Sequence, residues 1–84
     1  MTRLWPDGIP VNVEHGTDGT PVSFIWDGKT HRVTEVPNQW WVDADWWSGR
    51  KWRAYYKLTT DTGMLVEVYR NLLTEKWFLQ RLYD

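Results

Sequence analysis

Few side chains in this chain are placed for bond-breaking chemistry. His15 and His31 are the only histidines, they fall in different segments, and neither has the spacing of a zinc-binding helix or a serine motif beside it. Both read as polar surface. Asp43 and Asp45 stand two apart and would face the same way on an extended segment, as paired carboxylates do in hydrolases. Tryptophans surround them, as they would in a sugar site, but one acidic pair is common in loops. The six glycines are scattered one per turn, so no phosphate-cradling glycine loop exists. The chain reads as a non-enzyme with no catalytic residue, no metal site and no cofactor.

The tryptophans carry more information. Eight of them occur in 84 residues, and four fall in the pairs Trp40-Trp41 and Trp46-Trp47. Successive side chains leave a strand on opposite faces, so both rings of such a pair cannot point inward if the segment is extended. One ring of each pair is expected near the surface, where Trp can stack bases, lie on sugars or anchor a protein interface. The opposing expectation is that residues 39–50 form a loop that folds back as a lid and covers its own rings. The candidate binding residues are Trp40, Trp41, Trp46 and Trp47, with Arg50, Lys51 and Arg53 at the rim.

Composition sets limits on what must hold these residues in place. One domain fits in 84 residues, and 17% aromatic content excludes a disordered chain. With no cysteine, disulfides, thiol catalysis and cysteine-bound zinc are all excluded. The core must rest on large rings, each removing roughly 150–250 Å² from water. Net charge is −1, against bulk electrostatic capture of nucleic acid or anionic lipid. The charge is uneven, however: residues 1–49 hold three bases and seven acids, residues 50–84 seven bases and four acids. Arg50, Lys51, Arg53 and Lys57 are the densest basic run. No stretch approaches the roughly 20 apolar residues of a membrane span, and no apolar region follows the N-terminus, so the expected location is cytoplasmic.

Glycine and proline punctuate runs of Val, Ile, Thr, Tyr and Trp, the pattern of an all-β protein. Residues 4–8 read as a loose arm and residues 10–13 as a short first strand. Thr17-Asp18-Gly19 makes a turn, and residues 22–26 form a strand apolar on both faces. Asp27-Gly28 supplies a type I′ hairpin into a strand over 29–36 that Pro37-Asn38 ends. Residues 43–48 have room for one helical turn. Strands over 52–59, 64–70 and 76–83 follow, with a turn at 60–63 and a connection at 71–75. Five or six antiparallel strands in a meander, forming a strongly twisted sheet or small open barrel, are expected. The division is an N-terminal arm over 1–19 and a β core over 20–84.

The run Phe24-Ile25-Trp26-Asp27-Gly28-Lys29 leads to Arg32-Val33, then Trp40, Trp46-Trp47, Trp52-Arg53 and Tyr55. Gly63 with Glu67-Val68-Tyr69-Arg70 comes next, and Trp77-Phe78-Leu79, Arg81 and Tyr83-Asp84 close the chain. Over about residues 20–84 this resembles a small Trp-rich bacterial domain family of unknown function, similar also to a region near the C-terminus of the Y-family polymerase-like mutasome subunit. The resemblance implies an all-β fold and brings no catalytic residue. It points to an interaction module that docks on a protein partner in DNA repair or replication, as a monomer or weak dimer. The alternative is single-stranded nucleic acid held by Trp stacking and the local Arg/Lys patch. Carbohydrate binding on Trp platforms is a third reading.

Overall fold

A computed structural model describes residues 2–46 and 49–83, with Asp45 and Trp46 described by backbone alone. It contains seven strands: β1 (Arg3–Pro10), β2 (Asn12–His15), β3 (Pro21–Trp26), β4 (Lys29–Trp46), β5 (Gly49–Thr60), β6 (Leu65–Asn71) and β7 (Lys76–Tyr83). No helix occurs among the described residues. The strands form one sheet in the order β1-β7-β6-β5-β4-β3-β2, with every neighbouring pair antiparallel. β1 and β2 lie at opposite ends of that order, yet only Val11 separates them in the chain. The sheet therefore curls into a half-barrel. Val11 N–H donates to the Trp77 carbonyl at 3.2 Å where the chain passes from one end to the other.

Curling gives the sheet an inner and an outer face, and the period-2 pattern sorts side chains between them. Tyr56, Val68, Leu79 and Ile9 align across four strands on the inner face, and Leu58, Val66 and Leu82 across three. Phe24 reaches the same core from β3, and Phe24, Leu58, Val66, Val68 and Leu79 are fully buried. Trp77 completes it at 7% exposure.

The turns follow their local chemistry. Asp27 and Gly28 have φ of 52° and 75°, the left-handed pair that a type I′ turn requires. β7 spans the residues expected of it.

Other expectations are corrected. The sheet has seven strands, not five or six. Residues 4–8 are not a loose arm but part of β1, whose register jumps from Leu4 opposite Arg81 to Ile9 opposite Leu79. Pro37 does not end its strand: β4 continues to Trp46, with register shifts between Val33 and Glu35 and between Glu35 and Asn38. Proline is tolerated at such bulges because its missing N–H leaves no ladder bond unmade. Residues 39–46 and 49–50 are therefore not a lid. They belong to the β4–β5 hairpin, in unbroken register from Asn38 opposite Lys57 to Trp46 opposite Gly49. Residues 43–46 are likewise extended rather than helical; Trp47 and Ser48 lie outside the described residues.

His31 also departs from its reading as polar surface. It is 5% exposed, stacks on Phe24 at 5.3 Å and hydrogen-bonds the Thr62 hydroxyl at 2.7 Å. The Arg32 carbonyl, accepting from Asp61 N–H at 2.9 Å, ties the same strand to the β5–β6 turn.

Gly8 is the tightest backbone approach. Its φ is +75°, and a Cβ there would lie 2.8 Å from Phe78 Cβ and 2.9 Å from Tyr69 Cε2. Gly8→Ala is expected to cost about 2–4 kcal/mol, from left-handed strain and overpacking together. Urea denaturation measures it, and a change below about 0.5 kcal/mol, within the usual range of neutral surface substitutions, would mean that β1 is not packed on this face.

Candidate interaction surface

β6 ends at Asn71, opposite Arg53, while β4 and β5 run on to Trp46 and Gly49. Beyond that point the sheet thins to a two-stranded ribbon, steadied by Leu72 N–H donating to the Trp52 carbonyl at 2.9 Å. Trp41 opposite Ala54 and Asp43 opposite Trp52 share the inner face. Trp41 is 60% exposed and Trp52 37%: Trp52 lies past the end of β6, and Trp41, whose row still reaches Arg70 of β6, lies beyond the stretch of β4 that β3 flanks. Arg50 donates from Nε and Nη2 to the two Asp43 carboxylate oxygens, each at 3.0 Å, and its guanidinium lies 4.8 Å from the Trp52 ring centre. The hydrogen bonds from Arg50, aided by its charge, hold the Asp43 carboxyl below its usual range. Solvation of both ends makes this pair a small stabiliser. It positions the guanidinium beside the ring.

The outer face is different. Trp40, Tyr55, Tyr69 and Phe78 align across β4, β5, β6 and β7. Trp40 stacks on Tyr55 at 5.3 Å with planes 3° apart, Tyr55 meets Tyr69 at 5.3 Å, and Tyr69 meets Phe78 at 5.1 Å. Cations lie on these rings. Arg53 sits 4.3 Å over Tyr69 and donates to the Tyr55 hydroxyl at 3.1 Å. Lys57 and Arg81 stand 4.8 and 5.5 Å from the Tyr83 ring. Tyr69 donates its hydroxyl to the Asp7 carbonyl at 2.8 Å, and burial pushes its phenol up. Each such ring contact or cation–π contact is worth about 0.5–1.5 kcal/mol, which makes this ladder a structural clamp as much as a surface.

The expected binding residues are thus divided. Trp41 and Arg50 lie on the inner side of the ribbon, Trp40 and Arg53 are engaged in the outer ladder, and Lys51 pairs with Ala44 on the outer side. Trp46 is placed by its backbone only, and Trp47 lies outside the described residues. The opposite facing of Trp40 and Trp41 follows the strand parity read from the sequence. Trp52 was not among the candidates, although counting back by twos from the buried Ala54 places it beside Trp41. Asp43 is held ionised, a poor state for a proton donor.

An open groove of about 690 Å³ runs where β1 passes into β2, between Val11, Val13, Ile25 and Trp77. Among the described residues no group of three or more His, Asp or Glu is placed to hold a metal ion. Among the described residues no helix is long and apolar enough to cross a membrane.

No curated protein and no solved structure matches the chain. A family model does match, and it takes in residues 1–84, including the first 19 that the sequence resemblance left out. The ribbon and the curled sheet that carries it are therefore parts of one domain type, and the chain belongs to the family described as Domain of unknown function (DUF6504).

Proposed function

We propose that this domain is a non-enzymatic interaction module that docks a protein partner on the inner face of the β4–β5 ribbon. The observation that carries the reading is the pair of exposed rings, Trp41 and Trp52, on one face of the β4–β5 hairpin, Trp41 where β3 no longer flanks β4 and Trp52 where the hairpin projects past β6. Arg50 stands at their rim. Trp, Tyr and Arg supply most hot-spot energy in protein interfaces, and a ring already held by its strand loses little freedom on binding. The setting in DNA repair or replication rests on the sequence resemblance. A photo-crosslinking residue at position 41 is expected to capture a discrete partner, while the same residue at Val22, also exposed, on β3, does not. The double variant Trp41→Ala/Trp52→Ala should weaken binding of that partner at least about 30-fold, the effect of 2 kcal/mol, with little change in thermal midpoint. Equal capture from positions 22 and 41 would defeat this reading.

The charge distribution favours a second reading, single-stranded nucleic acid on the outer face. Lys51, Arg53, Lys57, Lys76 and Arg81 share that side by strand register with the carboxylates of Glu35 and Glu67. Asp7 is close enough to act on the Tyr69 phenol. The ladder rings are already engaged by cations and by one another, so phosphate contacts would dominate over stacking. Binding of an oligothymidine is then expected to fall with salt by about 0.7 log units per tenfold increase for each phosphate engaged. Absence of micromolar binding at low salt removes this reading.

A further inference from the structure

Trp41, Ala54, Arg70 and Trp77 form one row across β4, β5, β6 and β7 on the inner face. Ala54 is the smallest of the four and is 3% exposed. Trp52 lies two residues before it on β5, so Trp41 and Arg70 are both diagonal cross-strand neighbours of Trp52, about 7–8 Å away. Trp41 and Arg70 are two strand spacings apart, about 9.5 Å. Two exposed rings and a guanidinium thus surround one small residue.

The guanidinium is poorly satisfied. An arginine carries five N–H donors in a planar fork. Arg70 donates from Nη2 to Glu75 Oε1 at 3.5 Å, a long contact to a side chain that is 76% exposed. Its Nε is buried and has no hydrogen-bond partner among the described residues. Its carbon lies 5.8 Å from the Trp77 ring centre, and the side chain is only 22% exposed. Asp18 is the other nearby carboxylate: burial raises the Tyr56 phenol, Arg70 lowers it and Asp18 raises it, so both charges lie near that ring. Asp18 accepts from Thr20 N–H at 3.0 Å, and among the described residues it forms no ion pair with Arg70. Arg50, by contrast, has both Nε and Nη2 on Asp43.

We propose that Arg70 receives an Asp or Glu side chain of the protein partner docked on Trp41 and Trp52, carried about three residues from the partner's apolar anchor in an extended segment. The inference rests on the docking reading and names the chemistry of its partner. The spacing follows from the geometry, since three extended residues reach about 10 Å, the span from Trp41 to Arg70. The incoming carboxylate displaces the solvated Glu75 from Nη2 and takes Nη1 beside it, the two-bond match of guanidinium to carboxylate. Charge selects the occupant. A guanidinium shielded from water with most donors unengaged gains from an acid, gains less from a neutral group and repels a base. One weakly paired cation beside the rings matches one carboxylate; a phosphate chain needs a run of bases, and those lie on the outer face.

NMR titration of the whole chain tests this, with the blocked peptide Phe-Ala-Ala-Glu-Ala as the probe and its Gln counterpart as the charge control. The Glu peptide should shift the Trp41 and Trp52 indole N–H signals and the Arg70 Nε–H signal together. It should bind at least about tenfold more tightly than the Gln peptide, as a charge-assisted pair predicts. Glu75→Gln, which removes the competing carboxylate, should tighten the Glu peptide at least about twofold. Arg70→Gln should erase the preference for Glu over Gln while the indole signals still respond. Should Arg70→Gln not fold, the Nε–H shift and Glu75→Gln decide. Equal binding of both peptides with indole shifts would leave docking standing and overturn the role of Arg70, as would a preference for Glu that survives Arg70→Gln. Phe-Ala-Ala-Ala with a free C-terminus binding as tightly as the Glu peptide would overturn the choice of a side-chain carboxylate. A shift at Arg70 Nε–H with unmoved indoles would uphold the carboxylate site and defeat the docking reading. No binding of any of these peptides at millimolar concentration would overturn the proposal.

Discussion

A single residue, Val11, joins the two ends of the sheet, and the rest of the architecture follows from that short link. Seven strands laid flat would put β1 and β2 six strand spacings apart, about 28 Å at the usual 4.7–4.9 Å, and one residue spans at most about 3.6 Å. Only a curled sheet closes the gap. Curling makes one face concave, and a concave face lets side chains from β3, β5, β6 and β7 meet in one core. A chain of this size, with no disulfide or metal to help, needs that enclosure to bury enough surface.

Strand length then decides where the surface opens. β4 has 18 residues and β5 has 12, against 6 in β3 and 7 in β6. The longer pair outruns both neighbours, which strips cover from Trp41 and Trp52 and, among the described residues, leaves one edge of β4 unpaired. Exposed rings and open edge have one origin, the same mismatch in length. On the other face, the ladder from Trp40 to Phe78, with Arg53 laid upon Tyr69, stiffens the root of the ribbon. The ribbon leaves a braced sheet, not a loose loop.

Much of the fold was legible because it depends on local physics. Asp27-Gly28 marks its turn because few residues other than Gly, Asn and Asp accept positive φ at both central positions. Alternation placed Trp40 and Trp41 on opposite faces. Errors arose where a local signal was overruled from a distance. Pro37 usually stops a strand, but β5 supplies a continuous partner on its far side, and a bulge absorbs the proline. Residues 4–8 carry proline and glycine and read as an arm, yet β7 gives them a partner some 75 residues away in the chain. His31 is polar and was assigned to the surface; the β5–β6 turn closes over it and supplies the Thr62 hydroxyl.

The sequence by itself determined the all-β class, the hairpin turns and the face on which a strand residue falls, since each depends on neighbours a few positions apart. Tertiary structure alone decided which tryptophans are exposed. Trp77 and Trp41 have identical side chains and both lie in strands, but one is 7% exposed and the other 60%. Burial depends on whether another strand reaches that far, and that depends on register and length in segments the chain brings together only when the sheet curls.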